Sequence, residues 1–202
     1  LHVADREIER ALAHHLPLGA RRLLDIGTGT GRLLEVLAPK VEYAVGVDQS
    51  REMLALARAN LARAGIDNAE IRQGDMYALP FEADSFDVVT IHHVLHYADD
   101  PSAALAEAAR VVKPGGKVMV LEFSKVTPLL APIYDFYSFK VIPQVGQIVA
   151  QDADSYRYLA ESIRMHPDAE TLKGMMKAAG FGHVDVHRLT AGVVALHVGI
   201  KC

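Results

Sequence analysis

Three histidines crowd into five positions of the stretch TIHHVLHYADD, residues 90–100: His92, His93 and His96. Imidazole titrates near neutrality, so such a cluster can move protons or, in its neutral form, bind a metal. His92 and His96 are four apart, the spacing of a ligand pair on a helix, but no HExxH glutamate stands between them and no cysteine is near. With the third ligand missing, no metal site is expected. Proton transfer to an acceptor and local hydrogen bonding at a strand end remain open for each ring. Tyr97 or Tyr77 could orient a substrate hydroxyl beside them. His14, His15, His166 and His187 belong to no such constellation and read as surface or local structure.

A second set of residues surrounds DIGTGTG, where Gly27, Gly29 and Gly31 follow the apolar run RLLDI. Glycines there permit tight turning and close backbone approach to a ligand at a helix N-terminus. A dinucleotide fingerprint needs its third glycine at position 32, which is Arg32, and this counts against NAD. Asp25, just ahead of the loop, suggests a ligand with a positive group rather than a pyrophosphate alone, and a methionyl sulfonium cofactor fits. Asp48 closes the next apolar run, where a carboxylate can accept both hydroxyls of a ribose. The triplet GDM, Gly74 to Met76, closes the third, where Asp75 could accept from an adenine amino group while Met76 packs on the ring. Singly, each aspartate could be a cap or turn former. Together they converge on the crevice at the strand ends of an open α/β sheet, where ligands bind.

The elements that hold these residues alternate. Apolar runs RLLDI, EYAVGVD, AEIRQGD, SFDVVTI and KVMVLEF are separated by helical patterns, and residues 5–16 read as a helix ahead of the first. Asp100 can cap a helix that has Pro101 at its first position and runs until KPGG stops it. DAETLKGMMKAAG is a helix closed by Gly180. HVDVHRL and VVALHVGI, separated only by TAG, require a hairpin, so the last strand is antiparallel in an otherwise parallel sheet. Between 124 and 167 an insertion breaks the repeat. Ile133, Phe136, Tyr137, Lys140 and Val141 share one helical face and Tyr156, Leu159 and Ile163 another, predicting two short helices that either cover the sheet or line an acceptor pocket.

Composition bounds the setting. At 202 residues the chain suits one domain, and 50% hydrophobic with 23% charged residues is ordinary for a globular protein. A net charge of −4 gives no basic surface for nucleic acid. The single cysteine, Cys202, excludes an intrachain disulfide and fits a reducing compartment. No apolar run is long enough for a transmembrane segment and no signal peptide is recognised, so a cytoplasmic protein is expected.

With LLDIGTGTGRLLEVLAP, Asp48 and GDM in place, the chain resembles class I S-adenosylmethionine-dependent methyltransferases over essentially its whole length. The resemblance implies a Rossmann-like α/β fold, a seven-stranded mostly parallel sheet with an antiparallel last strand and helices on both faces. It implies S-adenosylmethionine as cofactor and S-adenosylhomocysteine as product. It places Asp25, Gly27, Gly29, Gly31 and Gln49 along the cofactor, Asp48 at its ribose, Met53 on its flank, and Asp75 and Met76 at adenine. His92 begins the loop beside the reacting methyl, and His92, His96 and Tyr97 are the catalytic candidates.

RVVKPGGKVMVLEFS, YDFYSFKVIPQVG, DADSYRYLAESIRMHPDAETLKGMMKAAGF and LTAGVVALHVGIK resemble the ubiquinone/menaquinone biosynthesis C-methyltransferases, over roughly residues 110–201. This implies methylation of a ring carbon of a prenylated quinol, a demethylmenaquinol or ubiquinol precursor. Residues 1–108, through LLDIGTGTGRLLEVLAP, SREMLALARANLARAG and QGDMYALPF, resemble instead the methyltransferase domains fused to metalloregulator-like transcription factors. Counted back from KPGG, the quinone family's Arg-Asn pair falls on His96 and Tyr97. The expected partner is a small-molecule acceptor, a membrane-borne quinol met peripherally at the membrane, with a homodimer as the assembly. The competing expectations are another small-molecule acceptor, or a cofactor-binding module with little catalysis.

Overall fold

The structure is a computed structural model that describes residues 2–124 and 166–202. The expected helical insertion lies outside the described residues, as do the two apolar faces read from it. Helix α1 (His2–His15) leads into β1 (Arg22–Ile26), α2 (Arg32–Leu37), β2 (Tyr43–Asp48), α3 (Arg51–Ala64), β3 (Ala69–Gln73) and β4 (Phe86–His92). After a single 3-10 turn at Leu95–Tyr97 come α4 (Pro101–Val111), β5 (Val112–Phe123), α5 (Ala169–Ala178), β6 (Phe181–Leu189) and β7 (Val194–Lys201).

The strands form one seven-stranded sheet in the order β3-β2-β1-β4-β5-β7-β6. β1 to β5 pair in parallel, and β7 runs antiparallel to both β5 and β6. The antiparallel strand follows from the connection: Thr190–Gly192 is one 3-10 turn, too short for a crossover. Strand alternation sends side chains to two cores. Leu24, Ile26, Val89, Ile91, Val118 and Val120 face α4 and α5, where Leu105, Leu172 and Met176 meet them. Leu23, Ala44, Val88, Met119 and Leu121 face α1 to α3, meeting Leu12, Leu34, Leu37, Leu54 and Leu61. Burying each such leucine contributes about 1.5–3 kcal/mol, which is what fixes the register.

Helix ends fall where the side chains dictate. Ser50 Oγ accepts from Met53 N (3.2 Å), Asp100 Oδ1 from Ala103 N (3.0 Å) and Asp168 Oδ1 from Thr171 N (2.9 Å). Each satisfies an otherwise orphaned helix amide. The helix stops ahead of KPGG as expected, but the strand that follows starts earlier than KVMVLEF. The helix ends at Val111, and β5 already begins at Val112, carrying KPGG as an irregular entry with a register shift between Phe86 and Val88 on β4. Val112 is buried, so the strand's apolar anchor precedes the turn-forming residues. Among the described residues, no helix is long and apolar enough to cross a membrane.

Candidate active site

The carboxyl ends of β1, β2 and β4 meet at the switch in strand order, where β1 pairs with both neighbours. Register puts Asp25 beside Gly46 on one side and Thr90 on the other. Asp25 is fully buried, and the Thr90 hydroxyl donates to its Oδ1 at 2.7 Å. Burial pushes its carboxyl up to about 6, against the lowering effect of the Thr90 and Thr28 hydroxyls and with a further raise from the Asp48 charge. At neutral pH the group is therefore mainly ionised, a negative charge in a nearly dry site.

The loop after β1 is stitched to β2 by Thr28 N donating to Val47 O (2.9 Å). Gly27 has φ 70°, and a Cβ on it would stand 2.5 Å from Val94 Cγ2. Gly29 has φ 53° with open space on its Cβ side, and its amide donates to Asp48 Oδ2 at 2.9 Å. Asp48 Oδ1 accepts from Ser50 N at 2.9 Å. Both carboxylate oxygens are thus held by backbone, and each retains lone pairs for a further donor. A buried anion, a second carboxylate locked in place and a glycine cradle open at Gly29 fit S-adenosylmethionine, whose cation and ribose hydroxyls match them. The same charge opposes a pyrophosphate.

The remaining expected cofactor residues are placed as follows. Gln49 is exposed and its carbonyl accepts from Gln73 Nε2 (3.0 Å). Met53 is 41% exposed in the first turn of α3. Asp75 is exposed and its Oδ1 accepts from Tyr77 N (2.9 Å), a turn-forming bond. Gly74 N donates to Asp48 O at 3.1 Å, which brings this turn alongside the β2 end. Met76 is half-buried and packs on the core beneath α4, so part of its surface is committed away from the crevice.

On the other side of Val94 lies the histidine stretch. β4 ends at His92, and His93 then takes a left-handed φ of 53° while its amide donates to Leu121 O (2.9 Å). The chain next folds around Glu122 of β5, whose side chain is fully buried. Glu122 Oε1 accepts from Val94 N and Leu95 N, both at 2.7 Å. Its Oε2 is 2.9 Å from His96 Nδ1 and 3.9 Å from His93 Nδ1. Burial raises the Glu122 carboxyl, but the hydrogen bond and charge of His96, with His93 and His166, outweigh it, and the net direction is down. His92 is lowered by burial against the pull of Glu122. His93 is lowered to about 4, first by burial and then by His92, with Glu122 opposing and His96 and His166 adding. Tyr97 is exposed, its ring 4.0 Å from that of His96, and the Phe123 ring lies 4.4 Å from His93. Tyr77 Oη accepts from Asp100 N (3.3 Å), at the start of α4.

Two residues escaped the sequence reading. Glu122 stands within the strand run KVMVLEF, and its signal was a lone carboxylate at an apolar strand position, which must be paired when buried. His166, read as surface or local structure, is 7% exposed, and its pKa is lowered chiefly by burial while it feels the charge of Glu122. No sequence signal distinguished it, because its position relative to β5 is set by the tertiary fold.

A profile of the ubiE/COQ5 methyltransferase family matches residues 6–201. A ubiquinone/menaquinone biosynthesis C-methyltransferase of Chromobacterium violaceum is 51% identical over 183 residues, covering 89% of this chain and 75% of that protein. The enzyme of the same name from Saccharophagus degradans is 48% identical over 186 residues, covering 89% of this chain and 74% of the relative. In fold, the chain is similar to a phosphoethanolamine N-methyltransferase of Haemonchus contortus solved with S-adenosylmethionine. The TM-score is 0.69 at 17% identity, over 98% of this chain and 52% of that one. The family match runs through residue 108, across both halves that separate resemblances had divided.

Proposed function

Since the chain belongs to the ubiE/COQ5 methyltransferase family and is an S-adenosylmethionine-dependent methyltransferase, we propose that its acceptor is a ring carbon of a prenylated quinol on the way to ubiquinone or menaquinone. Once bound, S-adenosylmethionine would supply an electrophilic methyl on its sulfonium, with S-adenosylhomocysteine as the product. Asp25 and the Gly27–Gly31 loop would hold its methionyl part, Asp48 its ribose, Gln49 and Met53 its flank, and Asp75 and Met76 its adenine.

The observation that carries the acceptor reading is Val94. Its side chain fills the space beside Gly27, which sets the histidine loop directly against the cofactor loop. A phenolic ring carbon becomes nucleophilic when its hydroxyl loses a proton, and His96 is the base in this assignment, with His92 at the methyl and Tyr97 orienting the ring. Holding ring carbon and methyl in line supplies much of the rate. The likeness of residues 1–108 to metalloregulator-linked domains is read as shared cofactor-loop sequence. A prenylated acceptor implies peripheral contact with a bilayer, and the homodimer stays part of the proposal.

The test is incubation with methyl-labelled S-adenosylmethionine and demethylmenaquinol in detergent. Label on a ring carbon supports the reading. Intact cofactor binding without transfer to the quinol rejects this acceptor, and label on oxygen assigns a different reaction.

A further inference from the structure

We propose that Glu122 is a positioning residue that fixes the His96 ring with Nδ1–H donating to its carboxylate, leaving Nε2 as the lone pair that takes the acceptor's phenolic proton. The inference rests on the quinol reading above and extends it to a residue that touches neither cofactor nor acceptor.

Four observations carry it. Glu122 is buried at the end of β5 and its two oxygens do different jobs. Oε1 takes the Val94 and Leu95 amides at 2.7 Å, which pins the loop. Oε2 is left to His96 Nδ1 at 2.9 Å, and an ionised carboxylate can only accept, so Nδ1 must carry the hydrogen. The His96 side chain is 1% exposed, and among the described residues its buried Nε2 has no hydrogen-bond partner. Such an orphaned ring nitrogen costs free energy unless a ligand uses it. Among the described residues, the groups facing the pair are His92 and His93 from the end of β4, Tyr97 from the turn, Phe123 from β5 and His166 ahead of α5. The step governed by the pair is a proton transfer. The phenolic O–H bond breaks, the proton goes to Nε2, and the electron pair stays on oxygen, enriching the ring carbon. The resulting imidazolium is stabilised by the Glu122 charge.

Glu122→Gln tests this because the backbone dictates how the amide must sit. Its carbonyl has to occupy the Oε1 position to keep the Val94 and Leu95 amides, which puts NH2 against Nδ1. The ring is then forced into the Nε2–H tautomer, which has no free lone pair at that nitrogen. Expected for E122Q are unchanged S-adenosylmethionine affinity by calorimetry and kcat on demethylmenaquinol lower by about 100- to 10,000-fold, the range of general-base contributions. Nitrogen-15 histidine NMR should show the His96 tautomer reversed. The double variant H96N/E122Q should lose no more than H96N, since Glu122 acts through that ring. Wild-type protein already holding Nε2–H, or full E122Q activity, or additive losses in the double variant, overturns the assignment. If E122Q fails to fold, the wild-type tautomer alone decides. If wild-type protein transfers nothing to the quinol, the acceptor reading falls, while the tautomer measurement still supports or overturns the positioning.

Discussion

Replacing Asp25 with asparagine should make the protein more stable and a poorer binder of its cofactor. The carboxyl moves from an ordinary 3.8 to about 6 on folding, chiefly because it is buried. At about 1.36 kcal/mol per pH unit, the charged form costs the folded state about 3 kcal/mol. The folded state binds the proton more tightly than the unfolded one, so this cost is absent below about pH 4, grows as pH rises towards 6, and is complete above about pH 7. Asparagine keeps a carbonyl for the Thr90 hydroxyl. Its amide can reach the Thr28 hydroxyl, which lies close enough to act on the carboxyl yet makes no well-formed hydrogen bond among the described residues. D25N should therefore gain about 1.5–3 kcal/mol at pH 8, or about 3–12 °C in melting temperature for a chain of this size. The comparison must be the difference between the two proteins across pH, because the buried histidines contribute their own slope to both. That difference should shrink through pH 6 and vanish near pH 4. Calorimetry should show S-adenosylmethionine bound about 10- to 100-fold more weakly, as expected for losing one charged partner. A D25N protein no more stable than wild type at pH 8, a difference without pH dependence, or unaltered cofactor affinity would each refute the reasoning.

Gly27→Ala should destabilise by about 2–4 kcal/mol in urea unfolding, from the left-handed φ of 70° and a Cβ 2.5 Å from Val94 Cγ2. G27A/V94A should recover the steric part and not the backbone part. Asp48→Ala removes the acceptor of the Gly29 and Ser50 amides and should raise the dissociation constant for S-adenosylmethionine by about 10- to 100-fold, measured by calorimetry. His92, His93, His166 and His197 all have pKa values lowered by burial, so they resist protonation in the folded state. Stability should consequently fall as pH drops below about 6.5 towards 4. His93→Asn, whose side chain tolerates the left-handed backbone, should flatten that slope in urea midpoints taken at pH 7 and pH 5.

The alternation of short apolar runs with helical patterns, the caps at Asp100 and Pro101, and TAG between the last two runs were enough for a mostly parallel sheet with an antiparallel final strand. These are local signals: hydrophobic period, helix-start chemistry and the shortness of a connection. The same holds for the meeting of the Gly29 loop, Asp48 and Gly74, because residues at successive strand ends in an open α/β sheet come together whatever the packing details. Asp25 was legible as an acidic residue just ahead of the glycine loop, but its pairing with Thr90 and Gly46 needed the register across three strands. The histidine stretch was legible as a cluster and illegible as chemistry. What separates His96 from His93 is Glu122, 26 residues further along the chain, whose carboxylate reaches Nδ1 of one ring at 2.9 Å and of the other at 3.9 Å. Sequence determined which residue types follow the fourth strand. Only the tertiary structure decided which ring the buried carboxylate holds, because a hydrogen bond between a turn and the adjacent strand depends on a register that no local pattern encodes.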